Sequence, residues 1–268
     1  MRKSVELVQA AYDGIAEAYD AQWSVHLREP QARLTEDLRI EPGLRCADLG
    51  CGTGVDTLDM VRLAAPGEVI GVDCSSGMLE AARSRAQSAG FTLTTVCQEA
   101  EDYIQTCPPA SLDIITLRFV LAYVDWRAAL PKLPALLRAG GRVGILTNLS
   151  SSAPQAYSTY REMVRDLNLP DVPLTVPSEM EQMTALLEQG GGTIEESWTH
   201  SFRLWFATGA DMASWLQESG FATHPALSAL PRQFAELLWK GFAERVEACR
   251  EPQGLPLDFD LAGVIARV

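Results

Sequence analysis

Cys46-Ala-Asp48-Leu-Gly50-Cys-Gly52-Thr-Gly54 is the stretch on which the fold turns. A short apolar run ends in glycines at alternate positions, and a helical pattern opens after Gly54. Glycines so placed permit a tight turn and let a ligand approach the backbone closely. The helix that follows offers unpaired N–H groups at its start, and Thr53-x-x-Asp56 has the spacing of a capping box. Downstream, a second apolar run, Val69-Ile-Gly-Val72, ends in Asp73, nineteen residues after Gly54. A carboxylate at the tip of a second strand is placed to accept hydrogen bonds from a ribose diol.

Outward from this turn, short apolar runs alternate with helical ones. Strands are expected at Cys46–Leu49, Val69–Val72, Thr92–Cys97, Leu112–Leu117 and Arg142–Thr147. Helices are expected after Gly54, from Met78 to Gln87 and from Arg127 to Leu137, with Pro-Gly and Gly-Gly pairs at the joints. This β-α-β rhythm predicts a doubly wound α/β fold with a mostly parallel sheet and helices on both faces. Upstream, residues 3–20 carry apolar positions at helical spacing and predict an N-terminal helical cap over 1–40. Downstream of Thr147 the rhythm breaks. Helices are expected near 155–167 and 177–189, an extended aromatic stretch over 193–206, helices over 209–218 and 231–250, and a last strand from Phe259. The expected organisation is a single domain over 1–268, with its core at 41–147. An inserted lid over 148–208 follows the fifth strand, and 209–268 completes the core.

The chain has 268 residues, with 22 Lys+Arg against 35 Asp+Glu and a formal net charge of −13. Hydrophobic residues make up 47% and charged residues 21%, values compatible with a buried core and against disorder. Basic residues are scattered, so a nucleic-acid partner is not expected. No run reaches the ~18 apolar residues of a membrane span, and the first residues lack a signal-peptide stretch. The six cysteines form no Cys-x-x-Cys pair; reduced thiols in the cytoplasm and no metal site are expected.

Two ligand classes use such a turn. A dinucleotide fingerprint wants Gly-x-Gly-x-x-Gly, but the sixth position from Gly50 is Val55. A pyrophosphate would be repelled by Asp48, whereas an ammonium group would be held by it. S-adenosylmethionine (SAM) carries that ammonium and no phosphate. The alternative is that Asp48 caps or forms a salt bridge, with the glycines serving only as a turn.

The residues now quoted resemble the class I SAM-dependent methyltransferases, in the small-molecule group that includes the ubiquinone/menaquinone C-methyltransferases. The resemblance covers about residues 10–147. Asp48-Leu-Gly-Cys-Gly-Thr-Gly54 matches the family's first motif, and Gly71-Val-Asp73-Cys-Ser75-Ser-Gly-Met78-Leu79 its second. Gln98-Glu99-Ala100-Glu101-Asp102 resembles the stretch after the third strand, and Tyr12-Asp13 through Tyr19-Asp20 the N-terminal helix. Leu112 through Gly140-Gly141 resembles the fourth strand, its helix and a Leu-x-Pro-Gly-Gly turn, with Ala139 where proline is usual. The match implies a seven-stranded Rossmann-like methyltransferase fold binding SAM, with S-adenosylhomocysteine as product. It implies that Asp73 takes the ribose hydroxyls, Met78 packs on adenine, Glu99 accepts the adenine amine and the Ala100 N–H meets the ring. Tyr19 would lie over the methionine end. Asp48, Gly50, Cys51, Gly52, Cys74 and Arg118 complete the expected cofactor set.

Two departures bear on chemistry. Leu121-Ala122-Tyr123 stands where many relatives carry Leu-His-His, so no histidine acts from that place. Thr116-Leu-Arg118-Phe lacks the Asn/Asp-Pro-Pro-aromatic motif of the nucleic-acid amino-methylating branch. Methyl transfer is an in-line displacement in which orientation alone supplies roughly 7–11 kcal/mol; a base adds about 10²–10⁴-fold. The candidate catalytic residues are His200, His26, Tyr123 and Arg118. Arg118 could orient a carboxylate substrate or pair with an acid. Tyr123, Trp198, Phe202, Trp205 and Phe206 could line an apolar pocket or simply pack, while Trp215, Trp239 and Phe242 read as core. The expectation is methyl transfer to a small, largely apolar molecule through oxygen or nitrogen, with carbon open, by a monomer or homodimer. The alternatives are a protein or nucleic-acid methyltransferase, or a repurposed SAM-binding protein without methyl transfer.

Overall fold

A computed structural model describes residues 20, 23, 26–166, 175–219 and 232–268. These residues form one seven-stranded sheet in the order β3-β2-β1-β4-β5-β7-β6. The strands are β1 (Arg45–Leu49), β2 (Glu68–Asp73), β3 (Thr94–Cys97), β4 (Leu112–Arg118), β5 (Leu137–Asn148), β6 (Thr193–Phe206) and β7 (Leu255–Arg267). β1 pairs in parallel with β2 and β4, β2 with β3, and β4 with β5, while β7 runs antiparallel to β5. The sheet is therefore the mostly parallel one that the rhythm predicted, with every expected strand present.

The order places a switch point beside β1. From β1 the chain winds outward through β2 and β3, then returns to the other side for β4 and β5. Ligands of doubly wound sheets bind outside the carboxyl ends of the strands at such a point. Because side chains alternate along a strand, each strand divides its residues between two faces. Ala47, Leu49, Ile70, Val72, Ile115, Leu117, Val143 and Ile145 form the apolar core of one face. Asp48, Asp73, Thr116, Arg118 and Asn148 belong to the other, by the registers Asp48↔Gly71, Asp48↔Thr116 and Arg118↔Leu146.

The helices are α1 (26–37), α2 (Val55–Ala64), α3 (Ser76–Ser88), α4 (Ala100–Thr106), α5 (Trp126–Ala129), α6 (Leu133–Leu136), α7 (Pro154–Asp166), α8 (Glu181–Gln189), α9 (Gly209–Glu218) and α10 (Arg232–Val246). The single helix expected from Arg127 to Leu137 is instead two short pieces, α5 and α6, joined by a 3-10 turn at Leu130–Lys132. Pro131 and Pro134 lack the N–H that a continuous helix requires. The N-terminal helical cap lies largely outside the described residues; within 1–40, α1 is helical and buries Leu34 and Leu38 fully.

The chain divides into two compact units. One comprises His26–Ser150, Thr175–His200 and Leu261–Val268; the other comprises Met1–Val25, Ser151–Leu174 and Ser201–Asp260. Residues 148–208, expected as one inserted lid, thus do not stay together. Met183 and Leu187, one helical turn apart on α8, are fully buried in the apolar core with Leu130 and Leu133. That burial ties 175–200 to the sheet. In the second unit, Phe259 is the hub of an aromatic cluster, with Phe202 stacked at 4.9 Å and Trp23 and Trp215 edge-on. Of 209–268, expected to complete the core, only 261–268 belong to the unit of β1–β5.

Candidate cofactor and acceptor site

The glycine turn is fixed by packing as much as by conformation. Gly50, Gly52 and Gly54 have φ of 77, 53 and 78°, a region that side chains disfavour. A Cβ on Gly50 would stand 2.7 Å from Val120 Cγ2, and one on Gly54 2.8 Å from the Ala82 Cβ. Gly52 differs: a Cβ there would meet nothing within 4 Å. The turn is therefore closed at both ends and open in its middle. The Gly50 and Cys51 N–H groups both donate to Val72 O, at 2.7 and 3.0 Å, which ties the turn to the end of β2. Burial pushes the Cys51 thiol well above the usual thiol range, with Asp48 and Asp73 adding to the effect.

The capping-box spacing of Thr53 and Asp56 would make Thr53 the N-cap of the following helix. Gly54 is the N-cap of α2 and no side chain caps it. The helix starts one residue later than the box requires, which puts Thr57 at the third helical position, and its hydroxyl is committed to Asp48 at 2.6 Å.

Asp73 joins the two turns at the strand tips. Its Oδ2 accepts from the Gly52 N–H at 2.9 Å and its Oδ1 from the Ser75 N–H at 2.8 Å. Ser75 in turn caps α3, its Oγ accepting from the Met78 N–H at 3.0 Å. The end of β3 is held as well, because Gln98 N–H donates to Asp73 O at 3.0 Å. Glu99 is half-buried at the N-cap of α4 and Ala100 is buried as its first residue. Cys74 is half-buried, its thiol pushed up to about 11 by burial and by Asp73. Carboxylate, open glycine and helix start thus stand together at the tips of β1, β2 and β3, an arrangement that fits an adenosine moiety.

Asp48 and Arg118 face one another across the switch point. Asp48 is 2% exposed and Arg118 7%. Arg118 Nη1 lies 3.3 Å from Asp48 Oδ1, and Asp48 also accepts from Thr116 Oγ1 and Thr57 Oγ1 at 2.6 Å each. Arg118 Nη2 donates to Thr35 Oγ1 on α1 at 3.2 Å. The salt-bridge alternative is the one realised for Asp48, and acid pairing is the one realised for Arg118. The Asp48 carboxylate is thus matched by a buried cation. Sequence reasoning missed Thr35, Thr57 and Thr116: register brings Thr116 beside Asp48, while Thr57 and Thr35 arrive from α2 and α1.

The other candidates are dispersed. Tyr123 is 39% exposed, on a 3-10 turn after β4. His26 is half-buried on α1 and His200 half-buried on β6. Three strand positions separate β6 from β4, about 14 Å at about 4.8 Å per strand, so His200 is not brought to the tip of β4. Trp198 is structural: Arg33 stacks on its ring at 4.6 Å, its Nε1 donates to Asp37 at 3.1 Å, and its ring occupies the space beside Gly263. Trp205 is 42% exposed and lies on the opposite face of β6 from Phe202 and Phe206. The expected aromatic strip is therefore not one surface. Trp215 and Trp239 are half-buried and Phe242 is buried. Tyr12, Tyr19 and His224 lie outside the described residues. Among the described residues no group of His, Cys, Asp and Glu could hold a metal ion, and no helix is long and apolar enough to cross a membrane.

Comparison with known proteins agrees with this geometry. Residues 46–141 match the family described as methyltransferase domain. The chain is 31% identical over 150 residues to a demethylmenaquinone methyltransferase of Symbiobacterium thermophilum, a match covering 51% of this chain and 57% of that protein. It is 28% identical over 238 residues to a malonyl-[acyl-carrier protein] O-methyltransferase of Herminiimonas arsenicoxydans, covering 88% and 85%. Among solved structures, the YcgJ protein of Bacillus subtilis superposes with a TM-score of 0.59 at 18% identity, over 89% of this chain and 97% of that one. Strand order, glycine turn and relatives converge: residues 46–141 match the methyltransferase-domain family, and it is to methyltransferases that the chain is similar.

Proposed function

We propose that the protein transfers a methyl group from SAM to a small, largely apolar metabolite, with oxygen or nitrogen favoured as acceptor atom and carbon open. The observation that carries this reading is the Asp73 carboxylate bonded to the Gly52 and Ser75 N–H groups beside the open side of the glycine turn. The relatives whose names specify substrates act on demethylmenaquinone and on malonyl-[acyl-carrier protein], and both matches support a metabolic acceptor.

When bound, SAM supplies an electrophilic methyl group on a sulfonium. The chain's own residues bind and orient. Gly50, Gly52, Asp73, Met78, Glu99 and Ala100 hold the adenosine end, while Cys51 and Cys74 shape the backbone beside it. Arg118 and Asp48 serve as a neutral buried pair under the acceptor end. Catalysis then rests on alignment and on exclusion of water, effects worth roughly 7–11 kcal/mol. The net charge of −13 disfavours a nucleic-acid partner.

The test is calorimetry followed by turnover. SAM and S-adenosylhomocysteine bind and NAD does not; labelled methyl then passes to members of a panel of phenols, amines, carboxylic acids and prenylated compounds. Binding of NAD without SAM would overturn the reading.

A further inference from the structure

Two buried polar atoms at the tips of β4 and β5 have no hydrogen-bond partner among the described residues: Arg118 Nε and Asn148 Oδ1. Both stand on the same face of the sheet. Arg118 is opposite Leu146 in the β4–β5 register, and Asn148 follows two residues later. Both are held rigidly. The Phe119 N–H donates to Leu146 O at 2.8 Å, and Asn148 is paired with Leu261 of β7. A buried donor and a buried acceptor left unmatched cost free energy unless something satisfies them.

We propose that Arg118 Nε and Asn148 Oδ1 form the polar end of the acceptor-substrate site and together hold one hydroxyl group of that substrate. The chemistry selects the group. The Arg118 charge is matched by Asp48, and its two Nη atoms are committed to Asp48, Thr116 and Thr35. A carboxylate only accepts, so it would leave Asn148 Oδ1 unmatched and facing a second oxygen. The two unpartnered atoms are one donor and one acceptor, and a neutral hydroxyl satisfies both, accepting from Nε–H and donating to Oδ1. Asn148 cannot take the proton away, so this hydroxyl positions the substrate and is not the atom that is methylated. A site built to hydrogen-bond a hydroxyl rejects analogues that lack it.

The proposal rests on the methyltransferase reading only for calling the ligand an acceptor. Its test is therefore a binding experiment, run on the whole protein with and without S-adenosylhomocysteine. Phenol and anisole are titrated while the Arg118 Nε–H signal is followed by ¹H–¹⁵N NMR. Phenol is expected to shift that signal and to bind about tenfold more tightly than anisole. Asn148→Leu should bring the ratio below about twofold, while Asn148→Asp, which keeps the acceptor, should preserve it. A signal unmoved by phenol, equal binding of the two probes, or full discrimination in Asn148→Leu overturns the proposal. Failure of S-adenosylhomocysteine to bind would instead strike the methyltransferase reading, and the phenol result would stand apart from it.

Discussion

Replacing Arg118 by methionine should destabilise the protein severely. The pair is separated by 3.3 Å, with the side chains 5% and 3% exposed. At an effective dielectric of about 20, two unit charges at that distance attract by about 5 kcal/mol. Loss of one partner leaves the other charge buried and uncompensated, and measured costs for such breaks are about 3–5 kcal/mol. Thr57 and Thr116 still donate to Asp48 in the variant, which favours the lower end of the range. Arg118→Met is therefore expected to lose about 3 kcal/mol in urea unfolding at neutral pH. Methionine is the chosen substitute because it is unbranched and Met60 already contacts the guanidinium. Asp48→Asn strands the cation in the same way. The double variant Asp48→Asn/Arg118→Met removes both charges and should cost clearly less than the two single losses added together, by about 2–3 kcal/mol. A single loss under about 1 kcal/mol, or strict additivity in the double variant, would refute the view that these charges neutralise one another.

Asp73→Ala should weaken S-adenosylhomocysteine binding at least about tenfold, since hydrogen bonds to a charged group are worth about 1.5–3 kcal/mol each; calorimetry on a variant with unchanged circular dichroism checks this. Gly54→Ala should destabilise by more than about 1 kcal/mol, because left-handed strain adds to the 2.8 Å approach to Ala82. Gly52→Ala should cost only the strain while losing cofactor affinity, and equal effects of the two substitutions on both stability and binding would contradict the open-middle geometry. Burial, aided by Asp113 and Asp48, pushes the Cys46 thiol up to about 12 from an ordinary 9.0. The unfolded chain then releases this proton first, so stability is full below pH 9 and falls as pH rises towards 12, by about 1.4 kcal/mol per pH unit for this group. Cys46→Ala should flatten that decline by one proton's worth, and an unchanged slope in alkaline urea titrations would count against it.

The sheet was legible because β1, β2, β4 and β5 carry short, mainly apolar runs separated by glycine- and proline-marked joints. The same logic misled at Arg127–Leu137, where helical spacing hid two prolines that break the run. Period-two alternation, applied to 193–206, could have put Trp205 and Trp198 on opposite faces. Thr35, Thr57 and Asn148 carried no such signal. The meeting of the two threonines with Asp48 and Arg118, and the place of Asn148 on the same sheet face, depend on strand register and on where α1 and α2 cross the sheet, and neither is written in local sequence. The three histidines drew attention for their chemistry alone, and chemistry alone does not say which strand of a seven-stranded sheet lies near the reaction.

The order of the strands explains why an acid beside a cofactor turn is matched by an arginine. On the β2 side of the switch point, Asp73 organises the backbone N–H groups of Gly52 and Ser75. On the β4 side, Arg118 pairs with the Asp48 carboxylate near the end of β1. An unmatched Asp48 there would be a buried charge that nothing in the turn could neutralise before a ligand arrived. Arg118 removes that cost permanently, and through Thr35 it ties α1 to the same point. The consequence is a division of labour set by topology. Asp48 is committed to Arg118, Thr57 and Thr116, which fixes α2 and β4 in place, and Arg118 Nε is the donor that the pair leaves without a partner.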